Sequence, residues 1–407
     1  MDRVINQAEL SNITDYLIPH FKFVVFNRIS NSFSFIIPAV VVLMGTSCSR
    51  KADVQSVTIG AILPLSGNSA QYGKFCQEGF QLALDEINKQ GGVKGSPLRV
   101  IWEDDQGIPS SAAAAMTKLT TIDNVPIVFG SWASSCVLAQ APIAEANRIP
   151  ILAEAQSPKI RDAGDYVFRI QPDSRYYLRV LAPYACQKLS LKKLAILYLN
   201  NDYGVDQAAV FRGLVEGLGS KIVFEEGFPQ GAQDFRAVLT KLKATQPDGV
   251  FVPAYAEAGL ILKQAAELGI KSQFLGSAPM ESPDVVLTAG KAAEGVIYVH
   301  HFDPDSNDAR VKKFQKNYEA KYGHAPEGYA ALAYDAAYVL AHILGKCDGS
   351  RECLKDELYK VQNLPGVSGP TSFDDHGDVL KPIVVRTIKD GKFITISREP
   401  ILEKPAP

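Results

Sequence analysis

Several features that would point to other chemistries are missing from this chain. No basic run stands out, and 42 basic against 44 acidic residues leave a net charge of −2. Such a surface has no means of neutralising a row of phosphates, so no nucleic-acid partner is expected. Cysteine is scarce, and the six residues show none of the paired short spacings of a zinc framework. His300-His301 with Asp303 and Asp305 fits no standard metal spacing either, so no metal is expected. No Gly-rich phosphate fingerprint and no Ser-His-Asp arrangement falls in a strand–turn–helix context, so neither a cofactor nor catalysis is expected.

What is present is ordinary globular material behind an unusual start. At 407 residues the chain is long enough for about two domains, and 46% hydrophobic with 21% charged residues excludes a disordered or repeat protein. Arg28 precedes an apolar run over 33–44 that ends in Gly45-Thr46-Ser47-Cys48. A positive flank, a short apolar core and small residues are the parts of a secretory signal. The run falls short of the roughly 20 apolar residues that span a bilayer. Its end resembles a bacterial lipoprotein cleavage box with Cys48 as the lipid-modified residue, although Gly45 stands where Leu is usual; an uncleaved anchor is the alternative. Residues 1–48 are thus expected to be a leader, and the rest periplasmic or at the cell surface, lipid-anchored to a membrane. Export permits disulfides. Cys347 and Cys353 flank the turn-forming 348–352 and are expected to bridge, whereas the scattered Cys76, Cys136 and Cys186 are expected to be buried apolar side chains.

From Val54 onward, short β-branched runs alternate with helical patterns. Strands are expected at Val57–Leu63, Leu98–Trp102, Ile127–Gly130, Ile151–Ala153, Leu194–Leu199, Ile222–Phe228, Gly249–Val252, Gln273–Gly276 and Gly295–His300. Between them, Cys76–Asn88 places Phe80, Ala83, Leu84 and Ile87 on one helical face, and Glu257–Leu268 stops at Gly269. Continuous apolar strands imply a parallel sheet covered on both faces, so the class is α/β. Ile383–Ile388 and Lys392–Ile396, joined through Asp390-Gly391, read as a terminal hairpin. The strands are too many for one comfortable sheet and separate around residue 173, so two lobes with a cleft between them are expected.

Ile59-Gly60-Ala61-Ile62-Leu63-Pro64-Leu65-Ser66-Gly67, then Gln71-Tyr72-Gly73, opens a longer series. Glu86-Ile87-Asn88, Gly91-Gly92-Val93-Lys94-Gly95 and Glu103-Asp104-Asp105 follow, with Asn201-Asp202-Tyr203-Gly204, Pro247-Asp248-Gly249-Val250 and Ala292-Ala293-Glu294-Gly295 further on. Gly369-Pro370, Phe373-Asp374 and Gly377-Asp378 close it. In order and spacing this series resembles the periplasmic Leu/Ile/Val-binding family over nearly all of 54–396. The resemblance implies two Rossmann-like lobes with parallel central sheets, joined by three hinge crossings near 171–173, 300–304 and 362–368. The lobes would comprise 54–172 with 304–362, and 173–303 with 363–399. It also implies a monomeric receptor that carries an aliphatic or branched-chain amino acid, or a related small carboxylate, to an ABC permease. A sensor of the same fold for an amide or aromatic acid, feeding a signalling partner, is the other possibility. His300 and His301 would be solvated hinge residues.

The candidate site follows from the same likeness. Gly130-Ser131-Trp132-Ala133-Ser134-Ser135 leaves a strand and enters a helix, where free N–H groups and hydroxyls favour an anion. Ser134 matches the family serine that binds the ligand carboxylate, with Ala133 beside it and Trp132 as a wall. Ala155 and Gln156 match the second carboxylate-holding segment, Gln156 replacing a hydroxyl with an amide. Tyr72, Tyr203 and Tyr255 match aromatic wall positions. The family's ammonium-binding acid falls on Ala278; Glu281 nearby and Asp173 at the hinge are the candidates to replace it. Glu154 is expected to face away.

Overall fold

The computed structural model describes residues 56–399 and 401, so the leader and Cys48 lie outside the described residues. The first of two sheets is built from β1 (Val57–Leu63), β2 (Leu98–Asp104), β3 (Val128–Phe129), β4 (Ile151–Ala153) and β5 (Val167–Arg169). All neighbours are parallel, in the order β2-β1-β3-β4-β5. Helices α1 (Ala70–Lys89), α2 (Pro109–Thr121) and α3 (Ser134–Asn147) make the crossovers. The second sheet contains β6 (Lys193–Leu199), β7 (Lys221–Phe228), β8 (Gly249–Phe251), β9 (Gln273–Gly276) and β10 (Ile297–His300), interleaved with α4 (Ser174–Pro183), α5 (Asp202–Gly217), α6 (Arg236–Ala244), α7 (Glu257–Glu267) and α8 (Pro283–Ala289). The antiparallel pair β11 (Ile383–Lys389) and β12 (Lys392–Glu399) extends this sheet beside β10.

Helices α9 (Ala309–Tyr322), α10 (Gly328–Leu344) and α11 (Arg351–Tyr359) follow β10 but do not stay with its sheet. α9 and α10 pack on α1, and α11 packs on α10. The chain therefore passes between the two sheets three times: after β5, after β10 and after α11.

The strands form because their side chains have apolar matter on both faces. Every residue of β4 and β8 is buried, as in a sheet sandwiched by helices. In α1, Tyr72, Cys76, Phe80, Ala83, Leu84 and Ile87 are buried at helical spacing. Two glycines allow α1 its position: a Cβ at Gly73 would meet the Pro64 carbonyl oxygen at 2.0 Å, and one at Gly79 the Ala330 carbonyl oxygen at 2.0 Å. Gly73 also hides the helix start in the sequence, so α1 begins six residues before the expected Cys76. β5 is missed altogether, since three residues ending in Arg169 make no apolar run. That guanidinium is fully buried and is answered by the Asp378 carboxylate, 2.7 Å from Nε.

Cys347 and Cys353 are bridged, and Cys76, Cys136 and Cys186 are free and buried, as their spacing suggested. His300 and His301 correct the expectation of solvated residues: they are 0% and 2% exposed. Their rings stack with centroids 4.3 Å apart, and the first turn of α10 covers them. Gly328 makes that contact possible, because a Cβ there would lie 1.9 Å from His300 Cε1.

Candidate ligand-binding site

Both sheets have the same internal order, β2-β1-β3 in one and β7-β6-β8 in the other, with the chain reversing direction of growth after the central strand. A crevice opens at the carboxyl ends of the strands where that reversal occurs, and ligands of open α/β sheets bind there. In the first sheet these ends lead to Tyr72 on α1 and to Trp132, Ala133 and Ser134 entering α3. In the second they lead to Tyr203 in the first turn of α5 and to Tyr255 beyond β8. Sequence positions far apart are thus delivered to one place by topology.

The rings meet there. Tyr72 stacks on Trp132 with centroids 4.4 Å apart and planes 5° from parallel. Trp132 meets Tyr255 at 4.6 Å, and Tyr255 stacks on Tyr203 at 5.1 Å. Tyr329 of α10 stands edge-on to Trp132 at 5.5 Å. A cavity of about 10 Å³ remains among Trp132, Gln156, Gln171, Tyr203, Tyr255, Pro279 and Tyr329. That is about the space one water needs, so the rings themselves fill the junction. Burial pushes the hydroxyls of Tyr72, Tyr203, Tyr255 and Tyr329 well above the usual phenol value, which keeps them neutral donors.

The polar groups are mostly neutral. Gln207 Nε2 of α5 donates to Gln156 Oε1 at 2.7 Å, and Ser277 Oγ lies 3.3 Å from the same Gln207 nitrogen. Gln171 Nε2 reaches Tyr177 Oη at 3.4 Å, and Tyr177 Oη lies 2.5 Å from His301 Nδ1. Ser134 opens α3, whose first turn no side chain caps. Its Oγ accepts the Ser157 backbone N–H at 3.1 Å, which leaves its own proton available to an incoming acceptor. Ala155 is buried between Glu154 and Gln156 on the same segment.

Side chains from the two sheets also bond directly. Tyr72 Oη donates to the Pro279 carbonyl at 3.0 Å, and Ser282 Oγ to Gln71 Oε1 at 2.7 Å. At the rim, Ser135 donates to Asp202 at 2.8 Å, Lys159 lies 2.9 Å from Asp202, and Ser157 bonds Asp206.

The two carboxylates expected to replace the ammonium-binding acid are elsewhere. Asp173 caps α4 through Tyr176 N–H at 3.0 Å and is paired with Arg175. Glu281 is buried against Arg386 and accepts the Tyr298 hydroxyl at 2.7 Å. Neither lines the cavity, and each already has a cation. Glu154 turns to α1, where it accepts the Cys76 thiol at 3.2 Å, and burial pushes its carboxyl pKa well up. Glu327 caps α10 through the Tyr329 and Ala330 N–H groups, and burial lifts it to about 8. Gln171, Gln207, Pro279 and Tyr329 were not anticipated. The signal for Gln207 was available, as an amide within the apolar face of α5; for Pro279 and Gln171 there was none.

A two-lobed α/β receptor that holds a small molecule between the carboxyl ends of two sheets is the class defined by this architecture. The sequence model of the periplasmic binding protein family matches residues 56–392, and the chain belongs to that family. It is 29% identical over 357 residues to a Leu/Ile/Val-binding protein homolog 1 of Brucella suis, covering 86% of this chain and 93% of that protein. To an amino acid binding protein of Pseudomonas aeruginosa it is 28% identical, with 84% and 91% covered. Among solved structures, the branched-chain amino acid transporter substrate binding protein LivJ of Streptococcus pneumoniae, in complex with isoleucine, is 30% identical with a TM-score of 0.80, over 85% of this chain and all of that one. A solute binding protein of an ABC transporter from Rhodopseudomonas palustris, in complex with 3,4-dihydroxy benzoic acid, is 25% identical with a TM-score of 0.78, over 86% and 99%. Among the described residues no helix is long and apolar enough to cross a membrane.

Proposed function

We propose that this protein captures an aliphatic amino acid or related small carboxylate outside the cytoplasm and delivers it to an ABC permease. One observation carries this: the reversal points of both sheets converge on a single aromatic junction beside the uncapped first turn of α3, where Ser134 has a proton to give. The ligand carboxylate would take Ser134 Oγ–H and the adjoining N–H groups, with Ala133 and Ala155 beside it. The apolar body would lie against Trp132, Tyr203 and Tyr255 once the lobes part. The lobes in this reading are 54–172 with 304–362, and 173–303 with 363–399. The protein acts as a monomer without catalysis, and Cys48 carries the lipid that keeps it at the membrane.

An aromatic acid or amide is the second reading. It is favoured by the cavity lining itself, four aromatic rings and two amides with no carboxylate. A thermal-shift screen of amino acids, amides and aromatic acids separates the two by mass action on the folded state. The carboxylate assignment is tested on the best ligand so found. Ser134→Ala should weaken its binding by about 1–3 kcal/mol in calorimetry, the worth of a hydrogen bond to a charged group. Unchanged affinity would remove Ser134 from the site.

A further inference from the structure

We infer that the ligand of this cleft is a small carboxylate that carries no ammonium group, and that its second polar group is a neutral hydrogen-bond donor. This rests on the cleft and the Ser134 anchor proposed above, and narrows the ligand by asking what charge the surroundings can answer.

Among the described residues no carboxylate lines the cavity, and those around it are turned to other groups. Glu281 is held by Arg386 and Tyr298. Asp173 is held by Arg175 and the start of α4. Glu327 spends both oxygens on the first turn of α10. Glu154 faces the Cys76 thiol, with its carboxyl kept protonated by burial. Glu257 accepts the Gly231 N–H at 2.8 Å and lies toward Asn68, outside the cavity lining. Asp202 and Asp206 share Lys159 at the rim. An ammonium group closed into the cavity would therefore meet no carboxylate in its wall, and burying an unpaired ion is among the largest penalties available. The aromatic faces would offset only part of it.

The unpartnered atoms in the cavity lining, or on a side chain bonded to it, are neutral, whereas Glu154 Oε1 and Glu257 Oε2, which also lack hydrogen bonds, belong to residues outside the lining. Tyr203 Oη, Tyr329 Oη and Gln207 Oε1 are buried with no hydrogen bond. Two of these residues line the cavity, and the third is bonded to the lining Gln156. His300 and His301 add no charge, because burial keeps both imidazoles neutral. All three oxygens can accept, Gln207 Oε1 can only accept, and the two phenols can also donate, so a hydroxyl or amide donor on the ligand satisfies them without bringing a charge to be desolvated.

Matched pairs that differ only in the amino group test this by calorimetry on the full chain: leucine against isocaproate, and tyrosine against phloretate. The deaminated acid should bind about 100-fold more tightly in the pair that binds best. Equal or tighter binding of the amino acid overturns the inference and leaves the proposed receptor intact. Isocaproamide binding as well as isocaproate would instead overturn the carboxylate anchor on which the inference rests. Phloretate should exceed hydrocinnamate, which lacks the hydroxyl, by about tenfold, and the reverse order removes the neutral donor. Gln156→Glu supplies the missing charge at the cavity wall, so it should move the leucine-to-isocaproate ratio toward leucine by at least about tenfold. An unmoved ratio in a variant that still binds isocaproate overturns the charge argument.

Discussion

Removing Arg386 should destabilise this protein more than removing any exposed charge. Arg386 and Glu281 are 2% and 3% exposed, and a guanidinium nitrogen of Arg386 contacts both carboxylate oxygens. A second nitrogen donates to the Phe393 carbonyl at 3.0 Å, which ties β12 to the pair. Arg386→Met keeps most of the volume and leaves Glu281 with the Tyr298 hydroxyl alone. An uncompensated buried carboxylate costs about 3–5 kcal/mol, and the lost bond to Phe393 about 1 more. Glu281→Leu with Arg386→Met removes both charges together, and apolar replacements of a buried pair are often neutral, so the double variant should recover most of the loss. Urea unfolding followed by circular dichroism gives the four midpoints, for wild type, Arg386→Met, Glu281→Leu and the double variant. A single variant within 1 kcal/mol of wild type, or a double variant whose loss equals the sum of the singles, would refute the pairing as the reason both residues are buried.

Two further outcomes are expected. Glu327 titrates near 8 in the native state but near the ordinary glutamate value when unfolded, so the native state holds the extra proton between those values. Its contribution to stability is complete below the unfolded value and is lost as pH rises toward 8. The stability of wild type relative to Glu327→Gln should thus fall by about 2–4 kcal/mol between pH 5 and 8, and parallel pH profiles would contradict this. Gly328→Ala forces a methyl against His300 Cε1 and should cost about 1–3 kcal/mol. The same substitution in a His300→Ala background should cost at least about 1 kcal/mol less, and equal costs in both backgrounds would separate the two residues.

How much could be read in advance differed by the range of the interaction. The α/β class, the hairpin at Asp390-Gly391 and the Cys347–Cys353 bridge depend on neighbours within a few positions, and all are visible as local pattern. Tyr72, Trp132, Tyr203 and Tyr255 could be named from family spacing, and topology gathers them. The partners that decide charge could not be read. Glu281 meets Arg386 across 105 positions, and Gln156 meets Gln207 across 51. A carboxylate in a string of letters carries no mark of whether a guanidinium will stand beside it. The two histidines were misjudged for the same reason, since what buries them is the start of α10, reached only after the intervening α9.

The division between neutral centre and charged rim has a consequence for closure. Lys159 and Asp202 are 53% and 35% exposed at their side chains, so their attraction is screened and worth about 0–1 kcal/mol. Parting the lobes therefore costs little at the rim, where water replaces each contact. At the centre, parting exposes stacked apolar rings and leaves Tyr72 without its Pro279 carbonyl. A ligand placed at the centre would have to displace or engage these buried contacts, whereas the rim pairs are exposed and screened. A ligand biases the balance only by its differential interaction with the closed form. With the ligand placed as proposed, that difference comes from the aromatic walls, the Ser134 hydroxyl and the unpaired neutral oxygens, because no carboxylate lines the cavity.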